Sequence, residues 1–531
     1  MNTSSSDPGP EACSLEPEAS SPLPLDRIGL VLGPATMLAW FVWGPHELLT
    51  PEALRLSGIM LLTIVWWLTE PIPIAATGLL AVGLAVFLGA VPDDGTSSFQ
   101  SARTALAPFG DPALFFLLGG MFLGRAMTVH GLDRRVALSI LCTRWAGHSP
   151  ATVLLAVGLS VGLVSMCISN TAATAMIYPV TMGIIAVLAT GGDGRRPDQQ
   201  AGFARSPYAS ALLLMTAYAS SVGGIATPIG TTTNVVAMGF FRRPEFLGQS
   251  VDFLRWSIVG LPMMTAIFVG LFLWLRLQAP SARIDLPALR EYLDAERRCL
   301  GAWNTGEKNT LVVFLAAVGL WLTPGVLAIV ADKSTQDWVA VHLPEEIVAL
   351  MIPVALFLLP VDWQQRRFSL SADDFAAIDW STLLLFGAGL SLGSLMMKTG
   401  LTQVLGEVTL RTAGSEDVWV VTALAIAGGI VLSEFTSNAA TASTLIPVVW
   451  SICQTAGVEP LPPLMGVTFG ASFGSALPVS TPPNAIVYGS GLIPARRMIV
   501  AGMGLDLLCG IVIWCVLRAA FALGWSPVGN G

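Results

Sequence analysis

An Asn flanked by hydroxyl side chains, set in the middle of a long apolar run, occurs twice in this chain. The first copy reads Ser165-Met-Cys-Ile-Ser169-Asn170-Thr171-Ala-Ala-Thr174, the second Ser433-Glu-Phe-Thr436-Ser437-Asn438-Ala439-Ala-Thr441. In each, a Ser stands four residues before the Ser-Asn pair, and a Pro (Pro179, Pro447) follows the Asn by nine. The second copy lies 268 residues after the first, counted from Asn170 to Asn438. Polar side chains are costly inside a bilayer unless they bind something or join helices. A motif written twice at one spacing predicts a repeat protein with a shared site.

The apolar surroundings make that site intramembrane. The 531 residues are 53% hydrophobic and 12% charged, about half the charged fraction usual for soluble domains, and the mean hydropathy is +0.69. Ile59 to Trp67 is an unbroken run of apolar residues and Thr63, and the run from Ile72 to Val91 reaches the roughly 20 residues that cross a bilayer. The chain reads as an all-α polytopic membrane protein. Its net charge of −8 comes with no basic patch that would suit nucleic acid. The seven Cys show no C-x-x-C pair and the four His no zinc spacing, so buried free thiols are the expectation.

Residues 1–26 are rich in Ser, Pro and Glu and read as a disordered tail. They lack the basic and apolar regions of a signal peptide. The first half, 27–275, opens with spans from Ile28, Leu54 and Ile72, with a helix break at Glu70-Pro71-Ile72-Pro73. Pro108-Phe-Gly-Asp111-Pro112 then leads into Ala113 to Met127, an apolar stretch of about 15 residues that is short for a crossing. Asp379 to Leu395 is its partner, with Gly119 and Gly387 again 268 apart. A re-entrant hairpin at each is the expectation. The glycines fit close helix packing better than a dinucleotide fingerprint.

Arg195, Arg196 and Arg205 place the loop from Gly191 to Arg205 on the cytoplasmic side. A second matched pair follows. Gly223-Gly224-Ile-Ala-Thr-Pro228-Ile-Gly230-Thr231-Thr-Thr-Asn234 corresponds to Phe473-Gly474-Ser-Ala-Leu-Pro478-Val-Ser480-Thr481-Pro482-Pro483-Asn484. Residues 276–308 are charged and read as an amphipathic linker on the membrane surface. The second half, 309–531, repeats the plan, giving about eleven crossings and two hairpins.

A hydroxyl and amide cluster in mid-membrane needs broken helices to present it. Half-helix N-termini then aim N–H groups and a positive dipole end at an anion, and Asn and Thr side chains add donors. Unwound carbonyls and hydroxyl oxygens suit a small hard cation such as Na+. None of the four segments carries Arg or Lys, so bound Na+ could supply the charge that an anion needs there. Glu434 beside the second motif fits a hydrogen-bonded structural carboxyl or a cation or proton partner. Four matched segments argue against packing alone.

At these residues the chain resembles the divalent anion/sodium symporter family of sodium-coupled dicarboxylate, citrate and sulfate transporters. Thr69-Glu70-Pro-Ile-Pro, Pro108-Phe-Gly-Asp-Pro, Ser169-Asn170-Thr171, Ser437-Asn438 and Ser480-Thr481-Pro482-Pro483-Asn484 carry the likeness. It implies two inverted repeats, a scaffold with an elevator-type transport domain, a homodimer, and a small divalent anion moved with two or more Na+ per protomer. It implies a Na+ site at Ser165, Ser169, Asn170 and the Gly230 backbone, and another at Ser433, Thr436, Asn438 and Ser480. Anion contacts would be Ser169, Asn170, Thr171 and Thr231 from one half, and Ser437, Asn438, Thr481 and Pro482 from the other. The plasma or inner membrane is the implied location.

Two departures stand out. Ala439 replaces a Thr common in the family, removing a donor and bearing on which anion is preferred. Thr232-Thr233 replaces an expected Pro-Pro. A sodium-independent anion exchanger, a sulfate-type transporter and a passive anion channel remain open on these residues. An enzyme is disfavoured, because H-E-x-x-H is absent and the carboxylates Glu70, Asp111 and Glu434 lie far apart in sequence.

Overall fold

The computed structural model describes residues 24–92, 98–190, 197–249, 251–279, 285–413 and 417–525. The tail expected at 1–26 lies almost wholly outside these residues, as do Arg195 and Arg196 of the cytoplasmic loop. Among the described residues the only strands are a short pair at Pro360–Asp362 and Arg367–Phe368.

The first half runs α1 (Pro24–Trp43), α2 (Pro51–Thr69), α3 (Ile74–Phe87), α4 (Ser98–Leu106), α5 (Pro112–His130) and α6 (Leu132–Leu141). It continues with α7 (Pro150–Ser165), α8 (Asn170–Thr190), α9 (Pro197–Ala204), α10 (Pro207–Gly224), α11 (Thr232–Arg242) and α12 (Phe253–Gln278). The charged segment forms α13 (Leu286–Cys299), whose Leu289 and Leu293 are buried while Arg290, Arg297 and Arg298 are exposed. Then come α14 (Thr305–Val330), α15 (Lys333–His342), α16 (Glu345–Val354), α17 (Ala372–Ala376), α18 (Trp380–Lys398) and α19 (Leu401–Ala413). The chain closes with α20 (Val418–Ser433), α21 (Asn438–Ala456), α22 (Leu461–Gly470), α23 (Pro482–Tyr488) and α24 (Ala495–Ala522).

The repeats share their local devices. Asp111 caps α5 by accepting from Ala113 N at 3.0 Å, and Asp379 caps α18 by accepting from Thr382 N at 3.1 Å. Gly131 and Gly400 end those helices in the left-handed region, each at φ 74°. The break expected after Thr69 is present, with α2 ending there and α3 starting at Ile74.

The repeats are inverted. Helices α12 and α24 hold equivalent places, and where they pack they run antiparallel. Gly270 faces Leu508, while four residues later Trp274 donates to Ala501 O at 3.0 Å and covers Gly504.

The hairpins lie one step later than the sequence suggests. Residues 113–127 and 380–395 each belong to a single helix, α5 and α18. Their glycines are packing sites instead: Gly119 meets Ala349 of α16, Gly124 meets Ile168, and Gly389 meets Ser443. The hairpins are α7–α8 and α20–α21. Gly158 and Gly162 of α7 lie on Met215 and Ala219 of α10, so these two helices run parallel. Thr174 and Thr181 of α8 bond Ser220 and Thr216 of α10, so α8 runs back. In the second repeat, Gly466 and Gly474 follow Ile426 and Ser433 in step, and Gly428 faces Leu445 across the hairpin.

Seven helices among the described residues are long and apolar enough to cross a membrane, or eight if the bent α15–α16 pair counts as one span. Four shorter apolar helices begin at Arg27, Ile74, Pro150 and Val418. Two of these, α7 and α20, are outgoing hairpin arms, which need not reach the far side.

Candidate transport site

Each hairpin turns on its Ser-Asn motif. In the first, Ser165 ends α7, Ser169 caps the next helix by accepting from Ala172 N at 3.3 Å, and Asn170 starts α8. Ser165 is fully buried, its Oγ 2.8 Å from Asn170 Oδ1 and 2.7 Å from Ser220 O. The second tip repeats this. Ser433 Oγ is 2.7 Å from Asn438 Oδ1 and 3.0 Å from Ala471 O, and Ser437 accepts from Ala440 N at 3.3 Å. Thr436 Oγ1 lies 2.9 Å from Thr441 Oγ1.

The loops after α10 and α22 complete the two half-sites. Gly224 packs against Asn170 Oδ1 and the Gly230 carbonyl, and a side chain at either glycine would collide there. Asn234 donates from Nδ2 to Gly224 O at 3.1 Å and Thr227 O at 2.8 Å. Its counterpart Asn484 donates to Gly474 O at 3.0 Å and Leu477 O at 3.1 Å. Ser480 Oγ lies 2.5 Å from Gly474 O, and Thr481 caps α23 by accepting from Asn484 N at 3.4 Å. Asn234 and Asn484 hold both loops open as broken helices. Both stand in the matched segments, but the likeness assigned them no role.

The expected residues sort by exposure. Ser165, Ser433, Thr436, Ser480, Gly230, Thr231 and Thr481 are buried, Asn170, Ser437 and Asn438 half-buried, and Ser169, Thr171 and Pro482 exposed. The buried hydroxyl, amide and carbonyl oxygens form a hard donor set. Among the described residues no group of three or more His, Cys, Asp or Glu could hold a metal. Such a set suits an alkali cation rather than a transition metal. Beside it, the amide ends of α8 and α21 offer hydrogen-bond donors to an anion.

Three residues differ from their sequence reading or add to it. Glu434 accepts from Ala476 N at 2.7 Å and Leu477 N at 3.0 Å, so its carboxylate anchors the second hairpin on the loop after α22. Ala439 is 6% exposed in a small apolar cluster with Trp67, Leu385 and Ala440. Its methyl therefore packs against α2 and α18 instead of lining an open anion site. Thr233, where Pro was expected, is fully buried and bonds Ser472 Oγ at 2.6 Å.

Broken helices, paired half-sites and inverted repeats define a secondary transporter, an integral multi-pass membrane protein and not an enzyme. Residues 28–529 match the family described as Sodium:sulfate symporter transmembrane region. The chain belongs to that family. It is 31% identical over 495 residues to the Sodium-dependent dicarboxylate transporter SdcS of Staphylococcus saprophyticus, covering 92% of this chain and 90% of the relative. It is 30% identical over 498 residues to the SdcS protein of Staphylococcus aureus strain bovine RF122, with the same coverage. A crystal structure of the Alcanivorax borkumensis YdaH transporter shares the fold, with a TM-score of 0.54 at 15% identity. That match spans 90% of this chain and all of the other.

Proposed function

We propose that this protein is a Na+-coupled symporter of a small dicarboxylate of the succinate class. The observation that carries the reading is the doubled hairpin tip: a buried Ser hydroxyl on an Asn carbonyl oxygen, next to open helix N-termini, in both repeats. The name of the staphylococcal relatives, sodium-dependent dicarboxylate transporter, supports the same substrate class.

In this reading one Na+ binds at Ser165, Ser169, Asn170 and the Gly230 carbonyl. A second binds at Ser433, Thr436, Asn438 and Ser480. The anion lies between, one carboxylate on Ser169, Asn170, Thr171 and Thr231, the other on Ser437, Asn438, Thr481 and Pro482. Bound Na+ raises anion affinity because no Arg or Lys stands in these segments. Residues 27–275 and 309–531 are the two halves, each with scaffold helices and a hairpin, and α13 within 276–308 is the linker; the hairpins with α10–α12 and α22–α24 form the transport domain. The remaining helices form a scaffold in a homodimer, against which the transport domain moves as an elevator in the plasma membrane.

The test is uptake of labelled succinate into proteoliposomes, with and without an inward Na+ gradient, with unlabelled sulfate and citrate as competitors. Na+-driven accumulation against the succinate gradient is the expected result. Uptake that ignores Na+ but requires internal anion would make the protein an exchanger, and preferential competition by sulfate would reassign the substrate.

A further inference from the structure

A buried hydroxyl pair joins the two repeats beside the site. Thr233 in the first turn of α11 and Ser472 just past α22 are both fully buried, with their oxygens 2.6 Å apart. The second repeat has Pro483 at the place of Thr233, so the symmetry of the fold does not by itself call for this contact. On one side Thr233 Oγ1 lies 3.3 Å from Thr231 Oγ1. On the other, the Ser472 carbonyl accepts from Asn438 Nδ2 at 3.3 Å.

Each hydroxyl has one proton to donate. Ser472 Oγ also lies 3.3 Å from Thr468 O, a longer contact than the 2.6 Å to Thr233. With Ser472 donating to Thr233 and Thr233 donating to Thr231, the Thr231 oxygen accepts one bond and keeps its own proton to donate. Hydrogen bonds in such a chain polarise one another, which makes Thr231 a better donor to a carboxylate. The same chain anchors Asn438 through the Ser472 backbone, so one relay touches both half-sites.

We infer that Thr233 and Ser472 are positioning residues that set the separation of the two half-sites, and so select dicarboxylates by length. The inference rests on the reading of Thr231 and Asn438 as anion contacts. Neither relay residue is placed in the anion or Na+ sites, and both act through Thr231 and Asn438. A dicarboxylate presents two charged ends at a distance set by its chain. A relay that fixes where the two ends are received therefore discriminates between chain lengths.

The test uses the full-length protein in proteoliposomes: wild type, Thr233→Val, Thr233→Ser, Ser472→Ala and Thr233→Val with Ser472→Ala. Sodium-driven uptake of labelled succinate gives KM and Vmax, and competition by malonate and glutarate gives the length preference. Thr233→Val is expected to raise the succinate KM about tenfold, keep Vmax, and narrow the preference for succinate over its shorter and longer homologues. Thr233→Ser should restore both properties, and the double variant should be no worse than either single one. An unchanged KM and preference in Thr233→Val would overturn the inference, as would a defect that Thr233→Ser does not relieve. So would a loss of Vmax and thermal stability with the length preference intact, since that is the mark of a packing contact. A wild type that shows no sodium-driven succinate uptake would instead remove the proposed function, and the relay with it.

Discussion

Arg243 at the end of α11 is clamped on Asp111, the residue that caps α5. Its Nε and Nη2 each donate to Asp111 Oδ2 at 3.3 Å, and Nη1 donates to Leu390 O of α18 at 3.2 Å. Both side chains are largely buried, at 12% and 14% exposure. The neighbouring Arg242 pairs with Glu346 at the start of α16, and Glu345 accepts from Phe253 N at 2.9 Å. The helix that Thr231 precedes is thus held at its far end by α5, α16 and α18.

Removing one partner of a buried pair leaves the other uncompensated, at a cost of about 3 kcal/mol. Asp111→Asn keeps the cap and Arg243→Ala removes the guanidinium; each should lower the stability of the purified protein by about that amount. Denaturation of the double variant should show a loss smaller than the sum of the two. Strict additivity would mean that the pair contributes nothing.

Asn170→Ala removes an oxygen that faces both Ser165 and the Gly224 turn. Sodium-driven succinate uptake should fall by at least about a hundredfold, as expected when a buried polar cluster around a charged ligand loses a member, while expression and gel-filtration behaviour stay normal. Retained uptake would take Asn170 out of the site.

Ser165→Ala and Ser433→Ala each delete a buried hydroxyl bonded to the hairpin Asn. About 1 kcal/mol per hydrogen bond predicts a Na+ half-saturation concentration roughly fivefold higher for each, with the succinate KM at saturating Na+ little changed. A shift in succinate KM alone would assign these serines to the anion.

Ala439→Thr restores the family hydroxyl, and the sequence alone predicts a changed substrate ranking. The apolar cluster of Ala439 with Trp67 and Leu385 predicts otherwise: overpacking by about 1–3 kcal/mol and an unchanged ranking of succinate, sulfate and citrate. Competition assays beside thermal unfolding separate the two outcomes.

Much of this architecture is legible in the chain. Asn170 and Asn438 stand in equal surroundings 268 residues apart, and helix caps, breaks and N-termini are local features, set by residues within a turn of one another. The doubled site, the apolar spans and the broken helices therefore follow from short-range pattern alone. The sequence misplaces the hairpins because glycines in an apolar helix mark either a turn or a close approach. Only the partner surface, Ala349 against Gly119 or Ser443 against Gly389, distinguishes the two.

What the sequence by itself determined is the repeat, the membrane setting and the chemistry of the Ser-Asn motifs, since those depend on residue type and spacing. Tertiary structure alone decided that Ala439 joins an apolar cluster with Trp67, that Thr233 meets Ser472, and that Arg243 meets Asp111. These partners lie more than a hundred residues apart in the chain. No local periodicity records such pairs, because which faces meet depends on how the helices of two inverted repeats pack.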